Sequence, residues 1–167
     1  MMTQKEPSER PHGTQLTQET YDRLVTELED LTTRGRNEIA STIEAARALG
    51  DLSENGDYHA AKDTQGKMES RIRHLQALLK QATVVEDDVG DGSVSAGSVV
   101  VLRYDGDDEG DVQRYFVGSI EERRGDMAVV SPEAPLGKAL VGRRAGDSVA
   151  YEAPGGSLRV TIVEVEA

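Results

Sequence analysis

The 167-residue chain contains no cysteine, no tryptophan and a single phenylalanine. Without cysteine it cannot form a disulfide framework, a cysteine nucleophile or a thiolate metal site, and this usage fits a reducing cytoplasm. No apolar run approaches the ~20 residues that a membrane span needs, and the N-terminus lacks the apolar segment of a secretory signal. We therefore expect a cytoplasmic protein that has no membrane partner.

Positive charge is scarce relative to negative charge. The chain has 31 Asp and Glu residues against 19 Lys and Arg residues, which gives a formal net charge of −12. Nucleic acids are bound mainly by neutralising phosphates with Lys and Arg, so bulk charge argues against nucleic-acid binding here. A role on nucleic acid must therefore be local or depend on a partner.

The N-terminal part of the chain changes character at Thr17. Residues 1–15 combine two prolines and a glycine with polar side chains, which predicts a flexible tail. Thr17 is a good N-cap residue, and beyond it apolar residues recur every three or four positions, as in a helix. This pattern slips by one residue near Gly35 and ends near Leu49.

A second apolar run follows with a stricter period. The segment between the runs, residues 50–57, reads Gly-Asp-Leu-Ser-Glu-Asn-Gly-Asp and favours a turn. A short turn between two long helices predicts an antiparallel coiled-coil hairpin over residues 16–83 with its tip at 50–57. The second run alternates steps of three and four, like a coiled-coil seam, at Tyr58, Ala61, Gln65, Met68, Ile72, Leu75, Leu79 and Ala82.

The remaining residues, 84–167, have the pattern of a β domain. Short runs rich in β-branched residues are separated by clusters of Gly, Pro and Asp. A further stretch, 135–141, is compatible with one short helix. The chain is thus predicted to be α+β, with a helical hairpin followed by a small α+β domain. The predicted strands are 99–104, 115–117, 127–130, 148–151 and 158–163.

Three carboxylates, those of Asp51, Glu54 and Asp57, recur at three-residue intervals around the predicted turn. The simplest interpretation is a solvated loop, in which Asp and Asn are favoured turn residues. A shared metal is the alternative, because Mg²⁺ is usually held by one or two carboxylates together with waters and substrate phosphates. Two carboxylates on a mobile tip cannot trap the ion alone. Beside another enzyme's bound metal, they could complete a two-metal site.

A calcium hand is excluded at this turn. Asp51, Ser53, Asn55 and Gly56 match positions 1, 3, 5 and 6 of an EF-hand loop. Position 12 requires a bidentate Glu and is occupied by Lys62. A cation there removes the ligand that closes the calcium site.

The tip segment Gly50–Lys62, GDLSENGDYHAAK, resembles the tip motif of the Gre family of bacterial transcript-cleavage factors. The resemblance continues in LTQETYDRLVTELEDL at 16–31, SPEAPLGKALVG at 131–142 and APGGSLRVTIVEVE at 153–166. It implies a transcription elongation factor with an N-terminal antiparallel coiled coil and a C-terminal FKBP-like domain at 84–167. DNA binding is a further expectation that it carries.

The family resemblance implies docking on bacterial RNA polymerase, with the coiled coil inserted into the secondary channel. When the polymerase backtracks, the 3′ end of the nascent RNA is extruded and synthesis stalls. The tip acids then help to hold a second Mg²⁺ and to position water, and the polymerase's own active site cuts the RNA. The protein would be a monomeric cofactor rather than an enzyme, and alone it would bind no Mg²⁺ stably.

Matched by motif position, the resemblance assigns the metal-assisting pair to Asp51 and Glu54. Arg47 and Lys62 match basic positions that contact extruded RNA. The alternative for both is ordinary solvated helix charge, with Arg47 paired to Asp51 one turn away. Weaker candidates for the same role lie further along the second helix, at Lys67, Arg71 and Arg73.

Four other residues receive secondary roles. Asn55 is expected to hydrogen-bond in the turn or to substrate, and Asp57 is expected to cap the second helix. Ser131 and Pro132 match a loop that the resemblance places near the polymerase-docking surface. Pro135 departs from the family pattern there and leaves the shape of the loop open.

Three other functions fit the pattern less well. Relatives of the same architecture can bind the secondary channel and inhibit without stimulating cleavage, but the retained Asp51 and Glu54 favour cleavage. A peptidyl-prolyl isomerase would need an aromatic-lined pocket, and we expect most of the five tyrosines to lie outside any single pocket. A free hydrolase is disfavoured because His12, His59 and His74 are isolated, without an HExxH or GxSxG motif.

Overall fold

The structure is a computed structural model that describes residues 13–51, 54–85 and 91–166. Most of the predicted flexible tail lies outside these ranges, as do the tip residues Leu52 and Ser53. Within the described ranges, no helix is both long and apolar enough to cross a membrane.

The fold divides into two compact units, and the boundary between them falls inside the first helix. The helical unit is Tyr21–Gln81. The other unit combines the segment that ends at Thr20 with the segment that begins at Ala82. It contains the sheet and is called the sheet unit below.

The helical unit is an antiparallel hairpin, as predicted. Its first arm contains α1 (Gln18–Asp30), a π-helical turn (Leu31–Gly35) and α2 (Arg36–Arg47), and its second arm is α3 (Gly56–Gln81). A π-helical turn has one more residue per hydrogen-bonded ring than an α-helical turn. It therefore accounts for the one-residue slip in the apolar pattern of the first arm.

The predicted coiled-coil seam forms the core of the hairpin. Ile72 and Leu75 are almost completely buried, and Ala61 packs with Ile39 and Ile43 of α2. Two ion pairs cross between the arms and reinforce the register at the surface, where each contributes up to about 1 kcal/mol. They are Arg36 with Glu69 at 3.0 Å and Arg71 with Glu27 at 2.8 Å.

A pair of three-residue strands was not predicted. β1 (Gln15–Thr17) pairs in parallel with β2 (Thr83–Val85). Gln15 therefore belongs to a strand, whereas its polar surroundings had placed it in the flexible tail. The pairing depends on residues far apart in the chain, and three residues are too few for a strand pattern to be recognised beside a long helical one.

Five further strands form the main sheet, and a short helix, α4 (Pro135–Leu140), packs against it. Neighbouring strands are antiparallel except for one parallel pair at the edge. Leu140 of α4 and Leu102 of the sheet are fully buried. The arrangement confirms the predicted fold class, a helical hairpin followed by an FKBP-like α+β domain. In chain order the strands are β3 (Val99–Tyr104), β4 (Gln113–Val117), β5 (Ala128–Val130), β6 (Ser148–Ala153) and β7 (Gly156–Glu166), in the spatial order β5-β4-β3-β7-β6.

Candidate functional site

The tip of the hairpin begins where α2 ends at Arg47. The backbone then turns, and Gly50 adopts a φ of +128°, which is outside the range that residues with a Cβ normally adopt. The second arm starts at Gly56. Gly50 therefore makes the turn, whereas Gly56 is the first residue of the second helix. Asp51 and Glu54 lie in the connection between the arms, and Asp57 lies in the first turn of α3.

Asn55 closes the tip with hydrogen bonds in two directions. Its Oδ1 accepts the Tyr58 N–H at 3.2 Å, which makes Asn55 the N-cap of α3. Its Nδ2 donates to the carbonyl oxygen of Ala46 in the last turn of α2. One side chain thus joins the end of the first arm to the start of the second.

The cap expected from Asp57 is therefore supplied by Asn55. Asp57 lies one residue inside α3 and is exposed. A carboxylate in the first turn complements the positive end of the helix dipole without forming the cap. Asn55 was expected to bond in the turn or to substrate, and the structure shows the bonds in the turn.

The three tip carboxylates line one open concavity of about 430 Å³. Asp51, Glu54 and Asp57 are all exposed, so their oxygens are accessible from solvent. Leu49 also lines the concavity and is 71% exposed, a feature that the helical pattern alone did not indicate. Like charges gathered at an exposed site favour the binding of a cation that lies between them.

The donor set of the tip suits a hard cation only in part. Carboxylate oxygens are the ligands that Mg²⁺ prefers, and Mg²⁺ keeps several waters or phosphate oxygens in its shell. Among the described residues, no group of three or more His, Asp and Glu side chains is arranged to hold a metal ion. Asp51 and Glu54 alone therefore supply only part of the ligand set that a magnesium ion needs.

The two basic residues nearest the tip are exposed and make weak local contacts. The guanidinium carbon of Arg47 lies 5.8 Å from the ring centroid of Tyr58. The Lys62 Nζ donates to Gln65 Oε1 at 2.8 Å. Neither contact is with a carboxylate, so neither side chain forms an ion pair in these contacts.

Two of the basic residues further along α3, Lys67 and Arg71, have carboxylate partners instead. Lys67 pairs with Asp63 at 3.0 Å, and Arg71 makes two hydrogen bonds to Glu27 across the hairpin. These pairs give both side chains a role in the hairpin itself. Lys67 and Arg71 therefore already interact with carboxylates, whereas the contacts described for Arg47 and Lys62 are with an aromatic ring and an amide oxygen.

The Ser131–Pro132 loop is held tightly against α4. The Oγ of Ser131 accepts the N–H of Glu133 at 3.2 Å, and a Cβ added at Gly137 would lie only 1.9 Å from the Ser131 carbonyl oxygen. Pro135, whose effect on the loop was open, is the first residue of α4, where a missing N–H carries no penalty. The loop is thus built into the fold, and Ser131 and Pro132 remain half-buried.

Three of the five tyrosines of the chain meet through their hydroxyl groups, and their rings pack against the core of the sheet unit. The hydroxyl of Tyr104 is 3.0 Å from that of Tyr151 and 3.5 Å from that of Tyr115. Desolvation and the Tyr104 hydroxyl raise the pKa of Tyr151 to about 12. Because the rings pack against the core and their hydroxyls bond one another, the cluster contributes to the fold of the sheet unit.

Comparison with known proteins finds two family models that match this chain. The family described as "Transcription elongation factor, N-terminal" matches residues 14–84, and "Transcription elongation factor, GreA/GreB, C-term" matches residues 89–167. Among solved structures, that of Thermus aquaticus Gfh1 is 27% identical, with a TM-score of 0.43, and covers 93% of this chain and 99% of that one.

Curated relatives match over most of their length. Transcription elongation factor GreA of Streptomyces avermitilis is 46% identical over 154 residues, which are 92% of this chain and 93% of the relative. GreA of Streptomyces coelicolor is 47% identical over 143 residues, 86% of each chain. The chain therefore belongs to the GreA/GreB family of transcription elongation factors.

Proposed function

We propose that this elongation factor binds bacterial RNA polymerase, inserts its helical hairpin into the secondary channel and stimulates Mg²⁺-dependent cleavage of backtracked RNA at its 3′ end. The observation that carries the proposal is the exposed concavity at the tip, where the Asp51 and Glu54 carboxylates lie together on a turn closed by Asn55. Membership of the GreA/GreB family supports it.

Asp51 and Glu54 act as partial ligands in this proposal. Their oxygens complete a cation site whose other ligands belong to the polymerase and to the RNA phosphate. A magnesium ion held in this way would activate water and would stabilise the charge that develops on the scissile phosphate. The same two carboxylates position the attacking water by accepting its hydrogen bonds.

The protein is then a cofactor of the polymerase rather than an enzyme. Two exposed carboxylates supply too few ligands to retain Mg²⁺ on their own. The stimulation of cleavage therefore depends on the complex, because it needs both the tip carboxylates and the catalytic site of the polymerase.

Two further sets of residues have roles in the complex. Arg47 and Lys62, one on each arm beside the tip, contact phosphates of the extruded RNA and position it without reading its sequence. Ser131 and Pro132 contribute to docking on the polymerase from the sheet unit. We place the action of the protein, as a monomer, in the cytoplasm, where polymerase works.

A backtracked polymerase complex with 5′-labelled RNA tests the proposal. Wild-type protein should shorten the RNA in the presence of Mg²⁺. The neutral double variant Asp51→Asn/Glu54→Gln should slow this by about 100-fold, the scale for removing groups that stabilise transition-state charge. Glu44→Gln, which removes an exposed charge from α2, is the matched control and should behave as wild type.

Two results would contradict the proposal. If wild-type protein stops elongation without shortening the RNA, the protein is a channel-binding inhibitor. If the double variant shortens RNA as fast as wild type, the tip carboxylates have no part in cleavage.

A further inference from the structure

The sheet unit contains a buried carboxylate in the loop after β4. Glu122 is only 5% exposed, although it stands in the charged run Glu-Glu-Arg-Arg, which is typical of a solvated turn. Burial of an ionised carboxylate is costly unless hydrogen bonds and charges compensate it. The groups around Glu122 must therefore compensate the free-energy cost of burying its carboxylate.

These partners come from the start of α1. Glu122 Oε1 accepts the backbone N–H of Thr17 at 2.9 Å. Its Oε2 accepts the hydroxyl of Thr17 at 3.1 Å and the hydroxyl of Thr20 at 2.6 Å. All three residues belong to the sheet unit, and Glu122 lies more than 100 residues after both threonines in the chain.

The geometry is that of a capping box completed from outside the helix. Thr17 is the N-cap of α1, and its hydroxyl accepts the Thr20 N–H at 3.3 Å. In an ordinary capping box, a Glu or Gln at the third helical position bonds back to the N–H of the N-cap residue. That position is Thr20 here, and Glu122 supplies the missing carboxylate.

Arg124 compensates the buried charge. Its Nη2 lies 3.8 Å from Glu122 Oε2, and its guanidinium carbon lies 4.2 Å from the ring centroid of Phe116. The positive end of the helix dipole acts in the same direction as Arg124. The buried Glu122 is therefore stabilised by the helix it caps, the neighbouring arginine and three hydrogen bonds.

We infer that Glu122 is a positioning residue for stimulated cleavage, because it fastens the first turn of α1 into the sheet unit. Helix α1 is continuous from Gln18, next to this cap, across the unit boundary into the first arm of the hairpin. Loosening its first turn therefore loosens the connection between the unit that docks and the arm that carries Asp51 and Glu54. The inference rests on the proposed function, but the cap formed by Glu122 can be tested without any cleavage assay.

The cap is tested by amide hydrogen exchange. Glu122→Ala should speed exchange of the Thr17 amide by about tenfold, which corresponds to about 1.4 kcal/mol. Glu122→Gln should restore part of the protection, since its amide oxygen still accepts the Thr17 N–H. Glu152→Ala, at an exposed position on β6, is the control and should leave exchange at Thr17 unchanged.

The positioning role is tested in the RNA cleavage assay by titrating each variant against backtracked complexes. Glu122→Ala should lower the cleavage rate at saturating protein by about tenfold, while the concentration that gives half of that rate stays as in wild type. Loss of docking would instead raise that concentration. Thr20→Val removes only the hydroxyl partner, and combining it with Glu122→Ala should add nothing to the effect of Glu122→Ala alone.

The cleavage assay distinguishes failure of the positioning role of Glu122 from failure of the proposed function. If wild type shortens RNA and Glu122→Ala does so at the same saturating rate, the positioning role is wrong and the proposed function stands. If wild type does not shorten RNA, the proposed function fails and the positioning role fails with it. If Glu122→Ala folds poorly, Glu122→Gln and Thr20→Val decide the question, and additive effects of these two substitutions would overturn the inference.

Discussion

Replacement of Asn55 by Ala tests how much this side chain stabilises the turn that carries the tip carboxylates. The substitution removes the Oδ1 acceptor that caps α3 and the Nδ2 donor that reaches the Ala46 carbonyl. It leaves the exposed carboxylates of the concavity unchanged. The effect on stability therefore reports the linkage between the two arms.

The structure allows the size of the effect to be worked out. Loss of an N-cap costs about 1 kcal/mol, and loss of a second hydrogen bond costs about 1 kcal/mol more. The Ala46 carbonyl keeps its bond from the Leu49 N–H at 3.2 Å, so no buried acceptor is left without a partner. We expect a total of about 2 kcal/mol, and for a unit of about 60 residues this lowers the melting temperature by about 8–16 °C.

Thermal unfolding followed by circular dichroism at 222 nm measures this change. Asp57→Ala is the matched control, because Asp57 is an exposed acid in the first turn of α3. Its interaction with the helix dipole should be worth less than about 1 kcal/mol. Asn55→Asp keeps the capping oxygen and loses the amide donor, so it should fall between wild type and Asn55→Ala. A larger loss in Asp57→Ala than in Asn55→Ala would refute the assignment of the cap.

Two predictions concern the sheet unit. Gly137→Ala should lower the free energy of unfolding in urea by about 3 kcal/mol, since the new Cβ would meet the Ser131 carbonyl oxygen at 1.9 Å. Gly155→Ala is the control, because a Cβ at Gly155 would have no atom within 4 Å and the substitution should be nearly neutral. Similar losses of stability in both variants would contradict the contact. Burial raises the pKa of Tyr104 above 10.0 and that of Tyr151 to about 12, so their stabilising contribution is present below pH 10 and is lost as the pH rises towards 12. Tyr151→Phe should reduce this loss in urea unfolding measured from pH 9 to about 12, and an unchanged slope would contradict it.

The features that could be predicted from the sequence are those with a local signal. The alternation of three and four apolar steps predicted the hairpin because burial of a helix face depends on spacing within the helix. The turn at Gly50 also had a local signal, because turn-forming residues act over a few positions. The π-helical turn was also indicated in the sequence, by the one-residue slip of the apolar pattern near Gly35.

The features that were missed depend on contacts between distant segments. Glu122 is an ordinary member of a charged run until α1 brings Thr17 and Thr20 to it. The tyrosine cluster has the same origin, because its members lie on strands that the sheet brings together. The strand at Gln15 was hidden because its partner lies 68 residues later at Thr83. No periodic pattern within either segment indicates such a pairing.

The sequence pattern could not decide whether Asn55 or Asp57 is the N-cap of the second helix. Both residue types are good caps, and both stand at the start of the second helix. Which of them caps depends on where the helix begins, and helix ends are defined to within one or two residues by pattern. The structure places the start at Gly56, one residue after Asn55.

The dependence of RNA cleavage on Mg²⁺ tests the central claim most directly. The measurement compares the Mg²⁺ concentration for half-maximal cleavage of backtracked RNA by polymerase alone, with wild-type protein, and with Asp51→Asn/Glu54→Gln. If the tip carboxylates complete a magnesium site, wild-type protein lowers this concentration and the double variant does not. An equal shift with both proteins would show that the tip acts without contributing ligands to the metal.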